Sequence, residues 1–242
     1  SGTKIERTIL VHATTTNDET YELLALAETD PTIVGVVGWL QIDSPDAIAD
    51  CEKYLQAPGA SYLKGIRDIA QDHPDSNYLA RPQVMKTVQG LGKLDITYDI
   101  LTKTPELKAA IELVRACPNT RFVLDHISKP YISRQELEPW KSLITDLASF
   151  ENVSCKISGL VTEGNWKDWE VSDFTPYTDH IIESFSTSRI MFGSDWPVAL
   201  LAANTYSEVV GLAEKGTAGF SASEKEAFWA LNVARSYKIT NL

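Results

Sequence analysis

The side chains best placed to do chemistry stand where apolar runs of this sequence give way to polar ones. In Arg189-Ile190-Met191-Phe192-Gly193-Ser194-Asp195-Trp196-Pro197-Val198, an apolar stretch suited to a buried parallel strand ends in Gly-Ser and then presents a carboxylate. Pro197 cannot continue the strand, so Asp195 belongs where a strand stops and a loop begins. A carboxylate so placed either caps the next turn through its own backbone or faces a site at the carboxyl ends of the strands, where barrels of alternating strands and helices mount their catalytic groups. A second stretch has the same design: Arg121-Phe122-Val123-Leu124 leads to Asp125 and His126, followed by Ile-Ser-Lys129-Pro130. Two apolar strands that each end in an acid or an imidazole make an enzyme-like arrangement.

The elements needed to hold these groups alternate along the chain. Strands are expected at 8–12, 33–40, 62–67, 94–99, 121–126, 153–159 and 189–195. Between them, helices are expected at about 17–28, 44–56, 78–91, 104–117, 139–149 and 173–185, with two closing helices near 206–215 and 221–231. Thr16 or Asn17 suits the first N-cap, and Ser221 with Glu224 offers a capping pair for the last helix. Strands recur about every 30 residues, which fits a (β/α) barrel. No G-x-G-x-x-G follows the first strand, as an open dinucleotide-binding sheet would require. Seven strands are counted where a closed barrel needs eight, and the deficit falls at the N-terminus, because residues 1–7 are too few for a strand and its helix. No composition break divides the chain, so residues 1–242 read as one domain.

Composition narrows the function classes. A hydrophobic fraction of 43% and a charged fraction of 23% are those of an ordinary globular protein. A net charge of −11 argues against nucleic acid and anionic membrane surfaces as partners. No apolar run approaches the roughly 18 residues that span a bilayer, and no signal peptide is read at Ser1–Lys4. Cys51, Cys117 and Cys155 have no paired spacing and suggest reduced thiols in a cytoplasmic protein. The four histidines never form a His-x-His or His-x-x-x-His pair, which limits any metal site.

The strings VVGWL, LKGIR, RFVLDHISKP, CKISGL, RIMFGSDWPV and NVARSYKI together resemble the amidohydrolase-2 family over about Thr8 to Ile239. The family includes sugar-acid lactonases and 2-pyrone-4,6-dicarboxylate lactonase. The resemblance implies a TIM-type (β/α) barrel, an α/β fold, that opens lactones or cleaves related C–O and C–C bonds. Family members begin with a strand ending in His-x-His, which holds metal or contacts substrate. This sequence shows no such motif and enters at the family's second strand. It is therefore expected to lack the first family strand, with that gap filled or covered, and to need no cofactor or to hold a divalent metal such as zinc only weakly.

The family match assigns Asp195 as general base on water and His126 as the group that polarises the carbonyl or binds metal. Asp125 reads as orienting the backbone or a neighbouring base, with a direct role as the alternative. Arg67, at a strand end, reads equally as a planar fork for a substrate oxygen and as a salt bridge across the mouth. Lys156 lies in a short, mostly apolar strand and should contact Asp195 or substrate, because a buried ammonium needs a partner. Trp39 and Trp196 could stack on a sugar-like ring, and Trp166 and Trp169 could form a lid or pack into the core. His12 reads as a hydrogen-bonded strand-end residue or a substitute ligand. The expected activity is opening of a small polar lactone or sugar-acid lactone in carbohydrate metabolism, with further copies of the chain as the other expected partner. The alternatives are a metal-dependent decarboxylase and a barrel that binds without turnover.

Overall fold

The computed structural model describes residues 5–240, so the reading of Ser1–Lys4 lies outside them. Seven parallel strands form one curled sheet in sequence order: β1 (Thr8–Val11), β2 (Ile33–Trp39), β3 (Leu63–Ile69), β4 (Thr97–Leu101), β5 (Phe122–Leu124), β6 (Val153–Ile157) and β7 (Ile190–Phe192). Among the described residues, β1 pairs only with β2 and β7 only with β6. The sheet is thus a TIM-type barrel left open at one seam. The helices between strands are α1 (Asn17–Thr29), α2 (Ala47–Tyr54), α3 (Pro82–Lys93), α4 (Leu107–Ala116), α5 (Trp140–Ala148) and α6 (Val171–Phe185), and α7 (Tyr206–Gly216), α8 (Ala222–Glu226) and α9 (Asn232–Tyr237) follow β7. Among the described residues no helix is long and apolar enough to cross a membrane.

Strand alternation divides the side chains between two environments. Ile66, Tyr98, Ile100, Phe122, Leu124, Cys155, Ile157 and Ile190 belong to the apolar layer shared with the helices. The residues of opposite parity, Arg67, Asp99, Asp125 and Lys156, meet one another inside the curl. At the amino-terminal end of the strands this interior is apolar, with Val37, Val123 and Met191 packed against Ala234, Tyr237 and Ile239. Burial of that plug contributes roughly 25 cal/mol per Å² of apolar surface removed from water.

Helix starts follow local chemistry. Thr16 accepts from the Glu19 amide at the start of α1, and Ser221 forms a reciprocal capping pair with Glu224 at the start of α8. Several boundaries differ from expectation. The fourth strand begins at Thr97 instead of Leu94, because α3 runs to Lys93 and Asp95 turns the chain at a φ of 64°. The closing helix does not stop at Leu231. It passes through a wider π turn at Ala227–Leu231 into α9, which carries Tyr237 into the sheet's interior.

Candidate active site

The strands that lead to Asp125–His126 and Asp195 end with their apolar runs, at Leu124 and Phe192, short of the expected ends at His126 and Asp195. After β5 the backbone makes a left-handed turn, with φ of 52°, 48°, 60° and 43° at His126, Ile127, Ser128 and Lys129. Each non-glycine residue in that region costs roughly 1–2 kcal/mol. The turn is pinned by Trp140 Nε1 donating to the Ile127 carbonyl (2.7 Å), by a 2.7 Å bond between Thr102 Oγ1 and Ser128 Oγ, and by Lys129 N donating to the His126 carbonyl (2.8 Å). Asp195 is also left-handed, at φ 51°. Strained backbone of this kind recurs where side chains must be aimed.

The result brings His126 and Asp195 together. His126 Nε2 lies 3.5 Å from Asp195 Oδ1, with the side chains 11% and 8% exposed. Asp195 Oδ2 is buried and has no hydrogen-bond partner among the described residues. Burial lowers the His126 pKa, against the pull of Asp195 and Asp125, which favours a neutral imidazole near pH 7. Ser158 Oγ sits 2.9 Å from His126 Nδ1 on the far side of the ring.

Beneath this pair runs a chain of buried charges. Tyr237 Oη donates to Asp99 Oδ2 (2.6 Å), and Lys156 Nζ lies 2.6 Å from Asp99 Oδ2 and 2.7 Å from Asp125 Oδ1. Asp125 Oδ2 accepts from Arg67 Nη1 at 2.9 Å. Arg67 Nε donates to His12 Nε2 (3.2 Å) and Nη2 to the His12 carbonyl (2.5 Å). Burial raises Asp99 to about 6 despite Lys156. Burial would raise Asp125 as well, but Lys156, Arg67 and His126 outweigh it and hold that carboxyl below the usual range. The groups titrate as one unit, in which Asp125 keeps its charge and Asp99 protonates first.

Arg67 thus bridges the mouth to Asp125, one of its two readings, and among the described residues two of its five N–H donors are uncommitted. Lys156 contacts Asp99 and Asp125 and not Asp195, because its side chain stays on the level of the charged layer. Trp39 Nε1 donates to Asp68 Oδ1 at 2.8 Å. Trp196 is 45% exposed and meets Tyr206 edge-on at 5.5 Å between ring centroids. Trp169 Nε1 donates to the Ala202 carbonyl and Trp166 Nε1 to that of Thr162. His73 accepts from the Asp75 amide within its own turn, and His180 Nε2 lies 2.9 Å from the Lys141 carbonyl of α5. Ser158, Asp99, Tyr237 and the pair Lys129–Glu163, 4.0 Å apart, are additions that sequence reasoning did not single out. Asp99 and Ser158 share the interior parity of Arg67 and Lys156, a signal available in the strands. Tyr237 carries none.

These side chains do not fit a zinc centre. Among the described residues no three His, Cys, Asp or Glu side chains converge on one point, whereas a catalytic zinc takes about three protein ligands. His12 has its Nε2 occupied by Arg67 and its Nδ1 2.9 Å from the Thr14 carbonyl. Asp99 and Asp125 already neutralise ammonium and guanidinium groups.

His12 gives a pH prediction. Burial and Arg67 lower its pKa to about 4, while in the unfolded chain it protonates near 6.5. Between those values the unfolded state binds more protons, so stability is lost as pH falls from about 6.5 to about 4. The contribution is on the order of 3 kcal/mol. Asp99 acts with the opposite sign at overlapping pH, so the comparison must isolate His12. Urea unfolding at pH 7 and pH 4 should show a smaller loss for His12→Gln than for the wild type, and equal losses would refute the assignment.

The amidohydrolase family model matches residues 2–239. An L-fucono-1,5-lactonase of Burkholderia multivorans is 33% identical over 96% of this chain and 80% of its own length. An L-fucono-1,5-lactonase of Burkholderia ambifaria is 33% identical over 82% of this chain and 67% of its own. A crystal structure of an amidohydrolase from Burkholderia multivorans with bound zinc superposes with a TM-score of 0.89 at 34% identity, covering 97% of this chain and 84% of that one.

Proposed function

Because this chain belongs to the amidohydrolase family, we propose that it hydrolyses the lactone ring of a sugar acid, with Asp195 activating water and His126 polarising the carbonyl. The observation that carries the reading is the buried, unpartnered Asp195 Oδ2 in a carboxylate whose other oxygen lies 3.5 Å from an imidazole nitrogen. A buried acceptor without a partner is costly unless something binds it, and an incoming water would supply the missing donor. The likeness to two L-fucono-1,5-lactonases supports a sugar-acid lactone as substrate.

The reaction then follows from the groups present. Asp195 takes a proton from water as the water oxygen bonds to the carbonyl carbon, and the carbonyl electron pair moves onto oxygen. The His126 N–H stabilises that oxyanion. Collapse re-forms the carbonyl and breaks the ring C–O bond, and Asp195 returns the proton to the departing alkoxide. The two remaining Arg67 donors are assigned to substrate oxygens, and Trp39 and Trp196 to the walls of the mouth. Lys156 supports Asp125. Three buried free thiols, at Cys51, Cys117 and Cys155, accord with a reducing, cytoplasmic compartment.

Each of these steps uses side chains of this chain alone. A panel of sugar-acid lactones in a pH-indicator assay should reveal turnover that persists after exhaustive chelation. Inactivity on the whole panel would favour a barrel that binds without turnover. A rate lost on chelation and restored by zinc would overturn the metal-free mechanism.

A further inference from the structure

Ser158 joins the two halves of the site. It follows β6 by one residue, and lies two residues beyond Lys156 on the interior face. Its side chain is buried, at 4% exposure, and His126 Nδ1 is the one hydrogen-bond partner the described residues give its Oγ. Two glycines make the approach possible. A Cβ on Gly193 would come within 2.8 Å of Ser158 Cβ and 3.0 Å of Oγ. One on Gly159, itself at φ 61°, would come within 2.8 Å of the His126 Cβ and Cγ. Gly193 belongs to the strand end that carries Asp195, so the serine is clamped between the two catalytic segments.

A buried hydroxyl hydrogen needs an acceptor. If Nδ1 carried the imidazole proton and donated it to Oγ, the serine's own hydrogen would find no acceptor among these residues. Donation from Oγ to Nδ1 satisfies both groups and leaves the ring proton on Nε2, where the Asp195 carboxylate 3.5 Å away also favours it. We propose that Ser158 is a positioning residue that fixes the neutral His126 in its Nε2–H tautomer, making the imidazole a donor to the lactone carbonyl. The opposite tautomer would aim a lone pair at the developing oxyanion and repel it. The catalytic part of this inference rests on the lactonase reading, whereas the tautomer does not.

Nitrogen-15 spectra of histidine-labelled protein near pH 7, with the His126 signals assigned by their loss in His126→Ala, should show a protonated Nε2 and an unprotonated Nδ1. Ser158→Ala should populate both tautomers and lower kcat by about 10- to 100-fold, the range found when an outer orienting partner is removed, with KM little changed. Ser158→Thr, which keeps the hydroxyl, should restore most of the loss. A wild-type His126 protonated on Nδ1, or wild-type kcat in a folded Ser158→Ala protein, would overturn the proposal. An inactive wild type that still shows the Nε2–H signature would refute the lactonase reading while the tautomer assignment stood.

Discussion

Replacing Asp195 by asparagine should leave the protein folded and reduce lactone turnover by about 10²- to 10⁴-fold, the usual contribution of a general base. The amide keeps the shape of the carboxylate and one acceptor oxygen, so binding should persist and the deficit should fall on kcat rather than KM. Oδ1 faces His126 Nε2 and Oδ2 has no partner among the described residues, so no ion pair with Lys or Arg is lost in the exchange. Stability should therefore move little, which circular dichroism melting would verify. An Asp195→Asn protein that turns over lactone at the wild-type rate would remove the base from this mechanism.

The largest effect on stability is expected from Lys156→Met. The methionine fills a similar volume but leaves Asp99 and Asp125 facing each other without the ammonium between them. Removing one partner from a buried ion pair costs about 3–5 kcal/mol, which for a chain of this length lowers Tm by on the order of 10 °C. The penalty should shrink as pH falls toward 6, because Lys156 holds Asp99 down to about 6 in the wild type, so without the ammonium that carboxyl protonates at higher pH and no longer repels Asp125. Adding Asp99→Asn should recover much of the loss, since the amide oxygen can still accept from Tyr237. If Lys156→Met melts with the wild type at every pH, the buried charges are not coupled as the distances imply.

Much of the scaffold was legible because parallel strands buried on both faces are written as continuous apolar runs, as in β2 and β5. Legibility failed where the same pattern has two causes. Leu94-Asp95-Ile96 alternates like a strand, yet Asp95 is the left-handed turn after α3. Asp195 and His126 stood out because two apolar strands share one design, each ending in an acid or an imidazole, and the family resemblance set their expected roles. Lys156 was expected to contact Asp195 or substrate, but its pairing with Asp99 and Asp125 depends on how far along each strand the charged layer lies, which is set by sheet register. Tyr237 was out of reach, since nothing local says that the last helix will thread its ring toward Asp99.

The left-handed turn from His126 to Lys129 has a consequence for evolvability. Selection for heat resistance alone would favour glycine at such residues, because glycine accepts positive φ without the steric cost. Selection for turnover would resist it, because a looser turn would let the imidazole wander from Asp195. The two pressures meet at Ser128, whose hydroxyl bonds Thr102 while its backbone is strained. Variants drawn from a thermostability screen should therefore divide into those that leave this turn intact and stay fast, and those that relax it and become sturdy but slow.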